Sequence, residues 1–269
     1  MTSAAQFGVI GQPIAHSLSP RIHAIFARQA GIHLTYEALE VAPENFSSFL
    51  NRTPWRGFNV TMPLKGEAYG AAAELSDRAR AAAAVNTMTR RPEGGFAGDN
   101  TDGVGLITDL TTNLRVSLTD QRVLMLGAGG AARGIAAPLM AERPGHFVVA
   151  NRTVSRAEQL VATFGGEARS LSALADLGCF DVVIHASGAG YDHFPALPDS
   201  LAGPDTFCYD LSYGAAADAF LSWAASRSAR AADGLGMLVE QAAVSFSIWH
   251  GVQPQSAPVI GELRRQTLA

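Results

Sequence analysis

Arg122-Val-Leu-Met-Leu-Gly-Ala-Gly-Gly-Ala-Ala132 decides the fold. Its first five residues form an apolar run of strand length. They pass without a spacer into Gly127-Ala128-Gly129-Gly130-Ala131-Ala132, a G-x-G-x-x-A pattern at a strand-to-helix turn. The glycines permit a tight turn and close backbone approach, and the helix start offers free N–H groups and a positive dipole end to a pyrophosphate. A glycine-rich turn alone is a weak sign. Here the next apolar run, His146 to Ala150, arrives at the distance a βαβ unit requires and ends in Asn151-Arg152-Thr153. A site for NAD places Asp or Glu at that strand end, against the ribose 2′-hydroxyl. This chain has Arg152 there, with Arg156 four residues on. A guanidinium suits a 2′-phosphate, so the expected cofactor is NADP.

Outward from this unit, short apolar runs alternate with helical patterns along the whole chain, the signature of α/β architecture. Strands are expected at Phe7–Ile10, Thr35–Val41, Gly57–Thr61, Arg122–Leu126, His146–Ala150, Asp181–His185 and Thr206–Asp210. Ser19-Pro20 reads as an N-cap followed by proline at the first helical position, and that helix closes at Gly31. Asn86–Arg90 and Gly95–Asp99, joined by Pro92-Glu93-Gly94, read as an antiparallel hairpin. The style breaks after Asp102-Gly103, where a helix over Val104–Leu114 leads into the second βαβ series. A last helix, Leu238–Trp249, packs back on the first domain. Two α/β domains with a cleft between them are therefore expected: a substrate domain over residues 1–103 plus 237–269, and a Rossmann-like NADP domain over 104–236. Hinge closure of the two would exclude water during hydride transfer.

Composition narrows the function. The 269 residues carry a net charge of −4 with pI about 6.0, so no bulk basic surface exists for nucleic acid or an anionic membrane. No signal segment or membrane-length apolar run appears, and Cys179 and Cys208, read as two buried small hydrophobes, fit a reducing cytoplasm. The 20 basic residues are 19 arginines and one lysine, Lys65. A position that keeps Lys where Arg fills every other cationic role points to use of its compact, titratable ammonium. Lys65 follows Gly57-Phe-Asn-Val-Thr-Met-Pro-Leu64, just past a strand end where ligands of α/β proteins gather. Asp99-Asn100-Thr101-Asp102-Gly103 brings two carboxylates to the expected domain joint. A lysine and an acid facing a dinucleotide supply the proton that carbonyl reduction needs beside hydride delivery. Helix capping by Asp99 or Asp102, and a solvated helix-start role for Lys65, are the plain alternatives.

The chain resembles the shikimate dehydrogenases of the shorter, NADP-dependent bacterial type. The resemblance runs end to end. It rests on Val9-Ile-Gly-Gln-Pro-Ile-Ala-His-Ser-Leu-Ser-Pro20, Asn59-Val-Thr-Met-Pro-Leu-Lys65, Ala84-Val-Asn-Thr87, Asp99-Asn-Thr-Asp-Gly103, Leu126-Gly-Ala-Gly-Gly-Ala-Ala132, Asn151-Arg-Thr153, Tyr209-Asp-Leu-Ser-Tyr-Gly214 and Asp233-Gly-Leu-Gly-Met-Leu238. It implies reversible, NADPH-dependent reduction of 3-dehydroshikimate to shikimate on the route to chorismate and the aromatic amino acids.

It also implies roles. Lys65 is the catalytic residue with Asp102 as partner. Ser17 and Ser19 bind the substrate carboxylate, and Thr61, Asn86, Asp102, Tyr213 and Gln241 hold the ring hydroxyls. Gly127, Ala128, Gly129, Gly130, Ala131, Asn151, Arg152, Thr153, Arg156, Leu211 and Gly234 bind the cofactor, with Met237 against the nicotinamide and Asp77 at a further cofactor position. No metal is implied, and His16 and His23 read as packing or capping residues. His185-Ala186-Ser187-Gly188 departs from the family's common Asn-Ala-Thr-Ser, and Leu211 stands where Met is frequent. No nucleic acid or membrane partner is expected, and the assembly is a monomer or homodimer. The rival readings are an NAD-dependent quinate/shikimate dehydrogenase and a non-catalytic NADPH-binding sensor.

Overall fold

The computed structural model describes residues 5–187 and 194–267. In chain order the elements are β1 (Ala5–Gly11), α1 (Ser19–Ala30), β2 (Leu34–Glu40), α2 (Phe46–Arg52), β3 (Gly57–Val60), α3 (Lys65–Ala71), β4 (Glu74–Leu75), α4 (Asp77–Ala82), β5 (Thr87–Arg90), β6 (Phe96–Asp99), α5 (Asp102–Thr108), β7 (Arg122–Leu126), α6 (Gly130–Ala141), β8 (His146–Asn151), α7 (Val154–Phe164), β9 (Glu167–Ser170), β10 (Val182–His185), β11 (Phe207–Asp210), α8 (Asp218–Ala225), β12 (Arg230–Ala232), α9 (Leu235–His250) and α10 (Ser256–Thr267). They form two compact units, Met1–Gly105 with Leu238–Ala269, and Leu106–Met237. The chain therefore crosses from one unit to the other inside α5 and again inside α9.

The first unit is built on a mixed sheet in the order β2-β1-β3-β5-β6-β4. β1 lies parallel to β2 and β3, while β3, β5 and β6 run antiparallel in turn. One face packs Ile10, Phe58, Val60, Leu64, Val85, Met88 and Phe96 into a core. The second unit has an all-parallel sheet, β12-β11-β10-β7-β8-β9. Leu124, Leu126, Val148, Val183 and Cys208 face one side, while Val123, Met125, Phe147, Val149 and Ile184 face the other. Both faces are buried, as helices on both sides of a parallel sheet require.

Several expectations need correction. Ser19 is the first residue of α1 and the cap position falls on Leu18, so it is Ser17 Oγ that accepts a helix-start N–H, from Ser19 at 3.3 Å. Pro20 presets the first-turn φ, and Gly31 closes the helix in the left-handed region at φ 65°. The expected helix Val104–Leu114 begins at Asp102 and passes into a π-helical turn over Asp109–Asn113. The helix expected to be last is α9, longer than drawn, and α10 follows it. Three strands escaped the sequence reading, β4, β9 and β12, all two to four residues long and partly exposed. Cys208 is buried as expected, but Cys179 is exposed.

Candidate active site

In the first unit the parallel strands β1 and β3 end side by side. The Thr61 N–H donates to Ile10 O at 2.9 Å and the Gln12 N–H to Met62 O at 3.0 Å, which fixes the two following loops on one sheet edge. Gly11 is required there, because a Cβ would lie 2.4 Å from the Thr61 methyl carbon and 2.9 Å from Met62 O. The Thr61 loop turns through a cis Met62-Pro63 bond into α3, whose first residue is Lys65. The hairpin β5–β6 supplies Asn86 beside β3, through Val60 N–H to Asn86 O at 2.8 Å, and then delivers Thr101 and Asp102.

These elements converge on one polar cluster. Lys65 Nζ stands 2.5 Å from Asp102 Oδ2, with side chains 24% and 9% exposed. Asp102 Oδ1 accepts from Asn86 Nδ2 at 2.8 Å. Asn86 Nδ2 also reaches Thr101 Oγ1 at 2.9 Å, and Gln241 Oε1, from α9, lies 3.3 Å away. Asn86 Oδ1 accepts the Thr101 N–H at 2.9 Å. Below it, Asn59 Nδ2 donates to Ser245 Oγ at 2.9 Å, and Tyr36 Oη–H donates to Asn59 Oδ1 at 2.7 Å. An ammonium, a carboxylate and two amides are thus held in fixed orientation by buried partners, with the lysine still open to solvent. Such a group can pass a proton and grip hydroxyls.

The two acids of the joint separate in role. Asp99 is tied to Arg78 at 2.6 Å, to Ser76 Oγ at 2.6 Å and to the Asn100 N–H at 2.7 Å. Burial alone would raise its carboxyl, but the Arg78 and Ser76 hydrogen bonds outweigh it and hold the group below the usual carboxylate range. The alternative of Asp102 as a helix cap is not what its side chain does. Asn100 Oδ1 accepts the Asp102 N–H at 3.1 Å, leaving the Asp102 carboxylate to Lys65. Ser17 is half-buried in the loop after β1, and Ser19, the first residue of α1, is buried. Asp77 also lies in this unit, fully exposed on the first turn of α4 and paired with Arg80 at 3.7 Å. Tyr213 belongs to the second unit, so the first-unit cluster joins Lys65, Asn86, Asp102 and Gln241 without it, and Thr61 stands on the loop that leads into Lys65.

In the second unit the sheet order reverses direction between β7 and β10, the topological switch point where dinucleotides bind. Gly127 has φ 117°, and a Cβ on it would meet the Ala186 and Ser187 backbone at 2.8 Å. Gly129 and Gly130, at the start of α6, face open space. Open space before the N-terminus of a 12-residue helix can take a pyrophosphate; Ala128 in the same turn is buried and Ala131 is exposed. Arg152 and Arg156 follow β8, both exposed and without an ion pair among the described residues, with Asn151 Nδ2 donating to Thr153 O at 2.9 Å. Leu211 follows β11, its N–H donating to His185 O at 2.9 Å. Gly234 admits no side chain, since a Cβ would stand 2.3 Å from Leu211 O. Met237 on α9 is buried, and its N–H donates to Tyr209 Oη at 3.3 Å. The residues present fit a dinucleotide bearing a 2′-phosphate.

Sequence reading missed two arrangements. Tyr209 Oη–H donates to the buried Asp109 Oδ2 at 2.6 Å, joining β11 to the π-helical turn. Where β10 and β11 end, His185, Asp210 and Ser187 form a chain of short contacts. The one signal for the latter was His185 and Ser187 at strand spacing, where the family's pattern has other residues. Gly188 of the same departure lies outside the described residues.

A polar proton-handling cluster on a mixed sheet, with a Rossmann-type dinucleotide unit beside it in sequence, defines a pyridine-nucleotide oxidoreductase architecture. Family comparison makes this particular. Residues 9–88 match the shikimate dehydrogenase substrate binding domain, 109–192 the shikimate/quinate 5-dehydrogenase domain and 234–264 the shikimate 5′-dehydrogenase C-terminal domain. The chain is 49% identical to the NADP(+) shikimate dehydrogenase of Thioalkalivibrio sulfidiphilus, over 96% of this chain and 98% of that one. It superimposes on an Ael1 enzyme from Pseudomonas putida with TM-score 0.89 at 37% identity, covering 97% and 98% of the two chains. It also superimposes on the Thermus thermophilus shikimate 5-dehydrogenase in complex with NADP(H) and shikimate, with TM-score 0.85, 31% identity and coverage of 97% and 99%. The chain belongs to the shikimate dehydrogenase family.

Proposed function

We propose that the chain catalyses the reversible, NADPH-dependent reduction of 3-dehydroshikimate to shikimate, a step toward chorismate and the aromatic amino acids, in the cytoplasm and as a monomer or homodimer. The observation that carries this reading is the Lys65–Asp102 contact at 2.5 Å inside the Asn86 and Gln241 cluster. The cysteines, far too few for a disulfide framework, agree with a reducing compartment.

Carbonyl reduction needs a proton at the oxygen as a hydride reaches the carbon. Lys65 gives that proton to the carbonyl oxygen, and takes it back from the hydroxyl in the reverse direction. Asp102 keeps the ammonium aimed and, with Asn86, Thr61, Gln241 and Tyr213, holds ring hydroxyls. Ser17 and Ser19, at the start of α1, take the substrate carboxylate, where first-turn N–H groups favour an anion. NADPH, when bound, supplies the hydride. Gly127 to Ala131 hold its pyrophosphate, Asn151 to Thr153 with Arg156 its 2′-phosphoribose, and Leu211, Gly234 and Met237 its nicotinamide half. For Asp77 the cofactor role rests on resemblance alone, as that residue sits in the first unit, paired with Arg80.

The test is the initial rate, by nicotinamide absorbance, for shikimate or quinate with NADP⁺ or NAD⁺. Shikimate with NADP⁺ is expected to dominate. Preference for quinate or NAD⁺ would move the chain to the quinate/shikimate branch, and silence in all four with NADPH still bound would favour the sensor reading.

A further inference from the structure

The ends of β10 and β11 carry three polar side chains that nothing in the reaction above uses. His185 is the last residue of β10 and pairs in register with Asp210, the last of β11. His185 Nδ1 lies 2.8 Å from Asp210 Oδ2, and Asp210 Oδ1 accepts the Ser212 N–H at 2.8 Å. Ser187 Oγ lies 2.6 Å from the other ring nitrogen, His185 Nε2. The ring is clamped between Phe220, stacked at 5.2 Å, and Phe194, edge-on at 5.5 Å, so its orientation is fixed by packing. His185 and Asp210 are buried; Ser187 is half-buried.

The order of these atoms sets the direction of each hydrogen bond. A carboxylate only accepts, so Nδ1 carries the hydrogen. In the uncharged ring Nε2 is then an acceptor, and the Ser187 hydroxyl must donate to it. The oxygen of Ser187 is left with its lone pairs to accept with. Ser187 is therefore a committed acceptor, where a free serine could rotate to donate.

Topology places this acceptor. A Cβ on Gly127 would touch the Ser187 N, so Ser187 borders the glycine loop at the switch point between β7 and β10. Arg152 and Arg156 lie on the β8 side of that loop, which assigns the adenosine half of a dinucleotide to β8 and the nicotinamide half to β10 and β11. The hydrogen-bond donor fixed to the nicotinamide ring itself is the carboxamide NH₂. We infer that Ser187 accepts a hydrogen bond from the nicotinamide carboxamide, and that His185, oriented by Asp210, is the positioning residue that holds its hydroxyl in that polarity. This rests on the cofactor assignment made above.

The test is calorimetric titration. NADP⁺ is compared with its 3-acetylpyridine analogue, in which a methyl replaces the amide NH₂. Ser187→Ala is expected to weaken NADP⁺ binding roughly 3- to 10-fold, the range for one hydrogen bond, and to leave binding of the analogue unchanged. Ser187→Thr restores the difference. Nitrogen-15 NMR of histidine-labelled protein is expected to show His185 Nε2 without a proton and accepting a hydrogen bond, and to lose that bond in Ser187→Ala. Equal weakening of both cofactors, no weakening of either, or a protonated Nε2 overturns the inference. Wild-type protein that binds no NADP⁺, or does not oxidise shikimate with it, instead overturns the cofactor and substrate reading.

Discussion

In the proposed reaction Lys65 separates proton transfer from binding. Its ammonium contacts Asp102 directly, while Asn86 and Gln241, proposed to grip the ring hydroxyls, are held by Thr101 and by backbone. Lys65→Ala therefore removes the proton carrier and leaves the hydroxyl grip in place. Turnover of shikimate with NADP⁺ is expected to fall by ~10²-fold or more, the usual worth of a positioned acid or base, while the dissociation constant for shikimate changes by only a few fold. Loss of both together would make the lysine a binding residue. Arg152 is the matching residue in the second unit. Arg152→Glu exchanges a guanidinium for an acid at the strand end, so KM for NADP⁺ is expected to rise by roughly tenfold or more while KM for NAD⁺ holds or falls. Both residues stand out in the sequence because each is an anomaly of type at a strand end, the sole lysine and an arginine where an acid is usual. The directions and partners of the buried side chains do not. Asn59, Thr101 and Ser245 hold the cluster from below, and nothing in their spacing marks residues 59, 101 and 245 as neighbours.

At the level of elements, the second-unit strands that apolar runs identify are the buried ones, where side chains on both faces must be apolar. Those it missed, β4, β9 and β12, are short and partly exposed, so their sequences carry charge and no run. The start of α1 was legible through Pro20 to within one position, the cap position falling on Leu18 and not Ser19, while α5 and α9 begin two and three residues before the sequence pattern marks them. The π-helical turn after α5 leaves no mark in composition; its reason is tertiary. Asp109 on that turn meets α9 where Gly236 lies, and a Cβ on Gly236 would come within 2.2 Å of the Asp109 carboxylate oxygens. The same carboxylate takes the Tyr209 hydroxyl and the Asn113 amide, while Tyr209 Oη receives the Met237 N–H. Gly236→Ala must therefore push a buried acid off its partners. A loss of about 2–4 kcal/mol is expected, from overpacking plus unmade buried hydrogen bonds, read as a lower urea midpoint at unchanged slope. Asp109→Asn in the Gly236→Ala background is expected to add little further loss, since the contact is already broken.

For the molecule as a whole, His23 links pH to stability. It is fully buried on α1, stacked on Tyr36 at 4.1 Å and flanked by Phe26, Phe246 and Trp249, all within the first unit. Neither ring nitrogen has a hydrogen-bond partner among the described residues. Burial, joined by the nearby His250, pushes its pKa down from 6.5 to about 3, with only a weak opposing pull from Asn59. The folded state thus carries the ring uncharged, while the unfolded chain takes up a proton below about pH 6.5. Between those two values the unfolded state holds one proton more, so stability falls as pH falls, by up to about 1.4 kcal/mol per pH unit from this residue. Above pH 6.5 neither state is charged at this site and the dependence vanishes. His23→Phe keeps an aromatic ring in the same nest and removes the proton site. Urea unfolding followed in a Trp223→Phe background, so that Trp55 and Trp249 report on the first unit, is expected to show wild-type stability dropping from pH 6.5 to 4.5. The His23→Phe protein is expected to have a markedly shallower slope over that interval. Parallel slopes for the two proteins would mean that His23 is not the residue whose titration limits the first unit in acid.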